Sequence, residues 1–298
     1  MAEQAVSLTI PQTRHVGNRE RIWRRYKARP SAIVATAVLL SLIAVAVFAN
    51  QVAPHDPNVQ ALSDQLKPPF WMAGGGADHL LGTDRFGRDM LSRIIHGARV
   101  SLTMGFVAAT LAATLGVTLG LTAGYFGGLV DRTIMRLSDI QIAFPFLVVA
   151  IAVIAVLGSN LVVLVGLLSV AGWVFYGRIT RGLTLRLRRI EYVEAARAAG
   201  AGSRRIVAQH ILPNVLSPNL VLWTLSIATL ILVESSLSFL GLGVQPPTPS
   251  WGNLLSDGRS YVDNAWWIAI FPGLAITVTV LAVNTLGDAL RDILDPRL

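Results

Sequence analysis

The sequence predicts an all-α polytopic membrane protein with six transmembrane helices and both termini in the cytoplasm. Composition is the first observation: of 298 residues, 53% are hydrophobic and only 14% charged, with a mean hydropathy of +0.58. Soluble domains carry roughly 25% charge. The second is the recurrence of apolar runs, since a helix crossing ~30 Å of hydrocarbon needs about 20 mostly apolar residues. The third is where the basic residues fall. Arg14, Arg19, Arg21, Arg24, Arg25, Lys27 and Arg29 precede the first apolar run, and Arg178, Arg181, Arg186, Arg188, Arg189, Arg197, Arg204 and Arg205 lie in a central loop. That is a positive-inside distribution. It accounts for the net charge of +8 and argues against nucleic acid as a partner. With no cysteine in the chain, disulfides, thiolate metal sites and cysteine nucleophiles are excluded.

Taken in order, residues 1–30 form a basic cytoplasmic segment and 31–50 the first span. The apolar stretch Ala32 to Ala49 exceeds the ~7–15 residues of a secretory h-region, so an uncleaved span is expected. Residues 51–99 form an extracytoplasmic loop. Its first part (APHDP, KPPF, AGGGAD) is rich in Pro, Gly and Asp and reads as irregular chain. Its second part turns helical, with Met90, Leu91, Ile94, Ile95 and Ala98 on one face and Asp89, Arg93 and His96 on the other. Such a helix is expected at the membrane interface or against partner helices. A core of five further spans occupies 100–298. The second span is 100–123, where Gly116, Gly120 and Gly124 recur every four residues on one face and let another helix approach. Spans at 142–158 and 160–177 are short and read as a tight hairpin split by Gly158-Ser159-Asn160. The fifth, at about 216–236, begins by Pro218, and the sixth, at about 266–287, contains Pro272. Between them, residues 234–265 carry turn residues and aromatics expected to anchor at headgroup level.

The central loop, at about 178–215, stands out because a multi-span chain has little reason to keep so long a cytoplasmic segment unless something docks there. Its Ala-rich stretch Val193 to Ala199 favours helix, and Gly200 and Gly202 break it. Ser203 is placed to cap a second helix from Arg204 to about Ile211, stopped before Pro213. Small side chains at Ala195, Ala196, Ala198 and Ala199 would let a partner approach the bend closely. Glu194, Arg197, Arg204 and Arg205 would supply charge pairs to it. An ordinary loop stabilised by Glu–Arg pairs accounts for the same residues equally well on physics alone.

The motif resolves that choice. Glu194-Ala195-Ala196, three residues, Gly200, and then Leu212-Pro213 closely resemble the EAA loop of permease subunits in ATP-binding-cassette (ABC) importers. His210 stands where that family generally has Ile, and the HILPN form is similar to the dipeptide/oligopeptide/nickel branch. The APHDP segment, LGTDRFGRDMLSR and SFLGLGVQPPTPSWGNLL agree with the C type of its paired permeases. The resemblance spans about residues 20 to 298. It implies a type I importer permease fold, and a coupling loop of Glu194, Ala195, Ala196, Arg197, Gly200, Ser203, Arg204, Arg205, Leu212 and Pro213. It also implies as partners a homologous permease subunit, two ABC ATPase subunits and an extracytoplasmic solute-binding protein, within the lipid bilayer of a bacterial inner membrane. The expected cargo is di- or oligopeptides, with nickel, glutathione or another small solute as alternatives.

No catalytic chemistry of its own is expected of this chain. A P-loop needs a Gly-Lys pair, because that lysine reaches the terminal phosphates. Lys27 and Lys67 follow Tyr26 and Leu66, so no Walker A site exists here, and the resemblance assigns ATP and Mg to the partner ATPases. The sequence separations of His15, His55, His79, His96 and His210 suggest no metal site. Asp139, Glu234 and Asp288 fall at span edges, where interfacial roles are expected in preference to a proton relay. A stand-alone secondary transporter would be expected to show internal repeats, which are absent from the sequence. A membrane enzyme would need a nucleophile–base or metal constellation that the sequence does not display.

Overall fold

A computed structural model describes residues 26–294. Arg14, Arg19, Arg21, Arg24, Arg25 and His15 lie outside the described residues, so the expectation for segment 1–30 is not addressed beyond its last few positions. Helix α1 (Pro30–Val47) starts with a proline in its first turn, where the missing N–H costs nothing. A short α2 (Ala49–Val52) follows. Residues 53–89 are turns with one 3₁₀ turn, Leu62–Asp64, as the composition suggested.

Helix α3 (Met90–Phe126) is 37 residues long, roughly 55 Å at 1.5 Å per residue. The expected separate amphipathic helix and second span are therefore one rod. The assignment of its faces is corrected too. Asp89, Ser92 and Arg93 are buried, because the polar face is covered by the outer loop and not by lipid headgroups. Arg93 donates to the Pro57 carbonyl at 3.2 Å, and Asp89 caps α3 by accepting from the Ser92 amide at 2.8 Å.

The next span is bent. Helices α4 (Gly128–Ala143) and α5 (Phe146–Leu157) meet at 90°. Pro145 forces the break: it has no N–H to donate, and it pushes Phe144 into extended backbone (φ −97°, ψ 131°). Gly158 then turns the chain into α6 (Leu161–Leu187), whose cap Asn160 accepts from the Val163 amide. The hairpin is present, but α6 is long, running ten residues past the expected end of the fourth span.

Within the central loop, α7 (Glu191–Ala198) and α8 (Ser203–Ile206) lead into α9 (Leu212–Phe239). After α9 come α10 (Trp251–Gly258), closed by a Ser250/Asn253 capping box, and α11 (Trp267–Leu294). Five helices are long and apolar enough to cross a membrane, or six spans if α4 and α5 count as one.

Lipid removes the hydrophobic reason for helices to associate, so close packing of small residues must hold them together. The glycines of α3 do this against α6. A methyl at Gly120 would sit 2.5 Å from the Gly177 carbonyl oxygen, and one at Gly124 2.6 Å from Thr184 Cβ. Gly105 gives the same closeness to Ile231 of α9. At one end of the molecule an ion pair between Arg29 and Asp292 joins the start of α1 to the end of α11.

At the other end the two outer segments pack on each other. Trp251 and Trp267 are buried, which corrects the expectation that these aromatics anchor among headgroups. Trp251 donates to the Ile94 carbonyl at 3.0 Å and Trp267 to the Thr83 carbonyl at 3.0 Å. Buried Asp84 takes Arg88 at 2.6 Å. Glu234 is also inside, 1% exposed, and not interfacial as expected. It accepts from Ser238 at 2.7 Å and Ser101 at 3.2 Å. Because Ser101 also receives the Trp251 amide at 3.2 Å, α3, α9 and α10 meet at one polar knot. Asp139, by contrast, is exposed and paired to Arg178 at 2.6 Å.

Candidate coupling site

The central loop leaves α6 at Leu187 and returns at Leu212, so its expected first ten residues belong to α6. Helix α7 forms over the Ala-rich stretch, with Glu191 and Glu194 in its first turn and Arg197 in its last, the polarity a helix dipole favours. It stops in a two-bond turn: the Ala201 amide donates to the Ala196 carbonyl at 3.0 Å, and the Gly200 amide to the Arg197 carbonyl at 3.0 Å. This is a Schellman cap, which needs a left-handed residue at the glycine position. Gly200 supplies it with φ +86°.

The next turn corrects two expectations. Gly202, in extended backbone, is the cap of α8, and Ser203 is its first helical residue with no side-chain cap bond. The helix also does not stop before Pro213. Residues Val207–Ile211 widen into a π-turn, with the Leu212 amide donating back to Val207. A proline at 213 lacks the amide for residue 209 and its ring crowds that carbonyl. The wider turn relieves both, so α8, the π-turn and α9 continue as one 37-residue rod, Ser203–Phe239.

Two faces result. Inward, Val193, Ile206 and Ile211 are buried with Leu121 and Val215, and Leu212 and Ala201 pack against them. Outward, Glu194, Ala195, Arg197, Gly200, Ser203, Arg204, Arg205 and Pro213 are exposed, and Ala196 half-buried. Among the described residues no ion pair engages Glu194, Arg197 or Arg204. The Arg205 guanidinium donates to the Gln209 side-chain oxygen at 3.1 Å. The Glu–Arg pairing that would make this an ordinary self-stabilised loop is not formed. Beside the loop, Arg188 holds the end of α3 through the carbonyls of Gly124 and Tyr125 at 3.0 and 3.3 Å. An open polar cavity of about 450 Å³ lies there, lined by Tyr125, Phe126, Arg188, Arg189, Glu194 and Arg197.

Residues 116–298, which hold this loop, match the family of binding-protein-dependent transport system inner membrane components. The chain belongs to that family. Residues 19–69 match the N-terminal transmembrane domain of oligopeptide transport permease C, so it is a multi-pass transport permease. Among its relatives is the dipeptide transport system permease protein DppC of Escherichia coli (strain K12), 43% identical over 99% of this chain and 97% of that one. The di/tripeptide transport system permease protein DppC of Pseudomonas aeruginosa (strain UCBPP-PA14) is 43% identical over 93% and 91%. The glutathione transport system permease protein GsiD of Escherichia coli O6:K15:H31 (strain 536 / UPEC) is also 43% identical, over 93% and 89%. In fold the permease is similar to a chain of the inward-facing MetNI methionine ABC transporter, with a TM-score of 0.54 at 22% identity over 68% of this chain and 97% of that one.

Two features of the permease escaped the sequence reading. Glu234 looked like a span-edge acid, although three serines within four residues of it (Ser235, Ser236, Ser238) were a signal that hydroxyls would solvate it. The convergence of His55 and His79 on Asp89 left no spacing signal, because the ligands come from an irregular loop.

Proposed function

We propose that this permease is one of two paired membrane subunits of an ATP-driven ABC importer of di- or oligopeptides. The segment from Glu191 to Pro213 is the seat of an ATPase subunit in this reading. The observation that carries it is the two-faced loop: a hydrophobic underside locked to α3 and an outer face of small and unpaired charged side chains. Unpaired arginines are a poor investment for a chain acting alone, but they suit a charged partner.

ATP and Mg are bound by two ATPase subunits, and solute is delivered by an extracytoplasmic binding protein. Closure of the ATPases displaces the loop. Because α8 to α9 is one rod, that displacement passes along roughly 45 Å to the Glu234–Ser101 knot, shifting the balance between inward- and outward-facing packings. This chain transmits motion and lines half the path, and hydrolysis takes place elsewhere.

The Arg29–Asp292 pair supports placing the start of α1 and the end of α11 on the same side. The basic loops make that side the cytoplasm. The names of relatives favour short peptides, with glutathione, itself a tripeptide, as the second reading.

The test is affinity purification of the full chain from its native membranes in gentle detergent. A second permease and ATPase subunits should accompany it, and charge reversal at Glu194 and Arg204 should release the ATPases while keeping the second permease. Recovery of the chain alone would sink the reading.

A further inference from the structure

The outer loop gathers three metal-ligating side chains that the transport reading leaves without a role. His55 follows α2, His79 lies in the turn before the Thr83–Asp89 bridge, and Asp89 caps α3. One ligand atom from each lies within 4.8 Å of the others. His79 Nδ1 is 3.0 Å from Asp89 Oδ1, and His55 Nδ1 is 3.8 Å from Asp89 Oδ2. The two imidazole rings stand with centroids 5.0 Å apart. We propose that His55, His79 and Asp89 are a binding site for a divalent transition-metal ion of the zinc class.

Ligands at ~2.1 Å from a tetrahedral ion sit about 3.4 Å from one another, so the observed separations close with small side-chain movements. Two imidazoles and one carboxylate favour zinc-like ions over calcium or magnesium, which prefer all-oxygen shells. The surroundings also fit. The second oxygen of Asp89 is already held by the Ser92 amide at 2.8 Å and its hydroxyl at 2.7 Å, which fixes the carboxylate. The other ring nitrogen of His79 faces Asp64 Oδ2 at 3.6 Å, the carboxylate–histidine arrangement that orients metal ligands. Lys67 in turn holds Asp64 at 2.7 Å.

His55 is the exposed member, its side chain 42% exposed, whereas Asp89 is 1% exposed. It leaves an entry path and a fourth position for water. A bound ion would staple the segment after α2 and the 79–83 turn to the N-cap of α3, stiffening the outer loop. The assignment does not rest on the coupling reading.

The test uses the untagged full chain in complex with its partner subunits, stripped with a chelator and titrated with zinc alone. Bound metal is measured after gel filtration, and the thermal midpoint with and without zinc. We expect about one zinc per chain and a zinc-dependent rise in midpoint. His55→Ala and His79→Ala should each weaken binding roughly tenfold or more and abolish the rise. Because His79 also bonds the α3 cap, His55→Ala is the variant expected to stay folded. Failure of the unmodified chain to retain stoichiometric zinc, or unchanged zinc affinity in His55→Ala, would overturn the proposal.

Discussion

Gly200 is the residue at which folding and the proposed coupling can be separated. Its φ of +86° is a left-handed conformation, yet a Cβ there would meet nothing within 4 Å. An L side chain therefore costs about 1–2 kcal/mol of backbone strain with no clash inside the permease. Gly200→Asn should be tolerated, because Asn accepts that conformation more readily. Gly200→Val should insert into the membrane normally but uncouple ATP hydrolysis from uptake, since its bulk projects where the ATPase would dock. Measuring ATPase activity and uptake in reconstituted complexes separates the two effects, and normal uptake by the valine variant would count against the docking surface. The exposed residues of this loop were legible in the sequence because their chemistry is local: alanines for closeness, glycine for the turn, arginines for charge. The His55–His79–Asp89 group was not, because its members meet only when an irregular loop folds back on the start of α3, and at Glu234 the neighbouring serines were a signal but Ser101, which joins it from α3, was not.

At the scale of elements, hydropathy located the spans well and their ends poorly, and the physical reason is the same in each case. An apolar window marks where a helix meets lipid, whereas a helix continues wherever its backbone bonds and packing allow. Thus α3 begins about ten residues before its apolar run, under the outer loop, and α6 continues past its own to place Arg181 against Asp131 and Arg188 on the end of α3. Proline misled in the opposite sense. Pro213 was read as a stop, but a π-turn absorbs it, and Pro218 lies inside α9. Pro145 does break its span, since no wider turn precedes it. The glycine seam was legible because a four-residue repeat on an apolar helix has few other uses. It predicts that Gly120→Leu separates α3 from α6. Overpacking a tight interior costs about 1–3 kcal/mol or more, and here the obstacle is the backbone at Gly177, which cannot rotate away. The expected outcome is a lower thermal midpoint in detergent and poor recovery of folded protein. Leucine at Gly166, which a methyl would leave clear of any neighbour within 4 Å, is the control and should change little.

For the molecule as a whole, the two ends differ in kind, and that difference supports the proposed orientation. One end ties the start of α1 to the end of α11 and presents the arginine-rich central loop. The other is a cap of two interlocked segments in which Asp84 and Asp257 balance Arg85 and Arg88, with Arg85 and Arg88 at 3.5 and 3.7 Å from Asp257. A cap with no excess of basic residues and a basic loop of unpaired arginines are what the positive-inside rule would place outside and inside. The lack of cysteine makes this directly measurable, because any introduced thiol is unique. Ser203→Cys is exposed on the loop and Asp263→Cys on the cap. In sealed right-side-out vesicles, a membrane-impermeant thiol reagent should label Asp263→Cys at once and Ser203→Cys only after the membrane is opened. The reverse pattern would turn the permease over and remove the coupling loop from the side where ATP is found. Equal labelling of both in sealed vesicles would mean that the loop and the cap share a side, which an odd number of crossings between residues 203 and 263 does not permit. Only α9 lies between them with the length and apolarity to cross, so the result tests that span as well as the orientation.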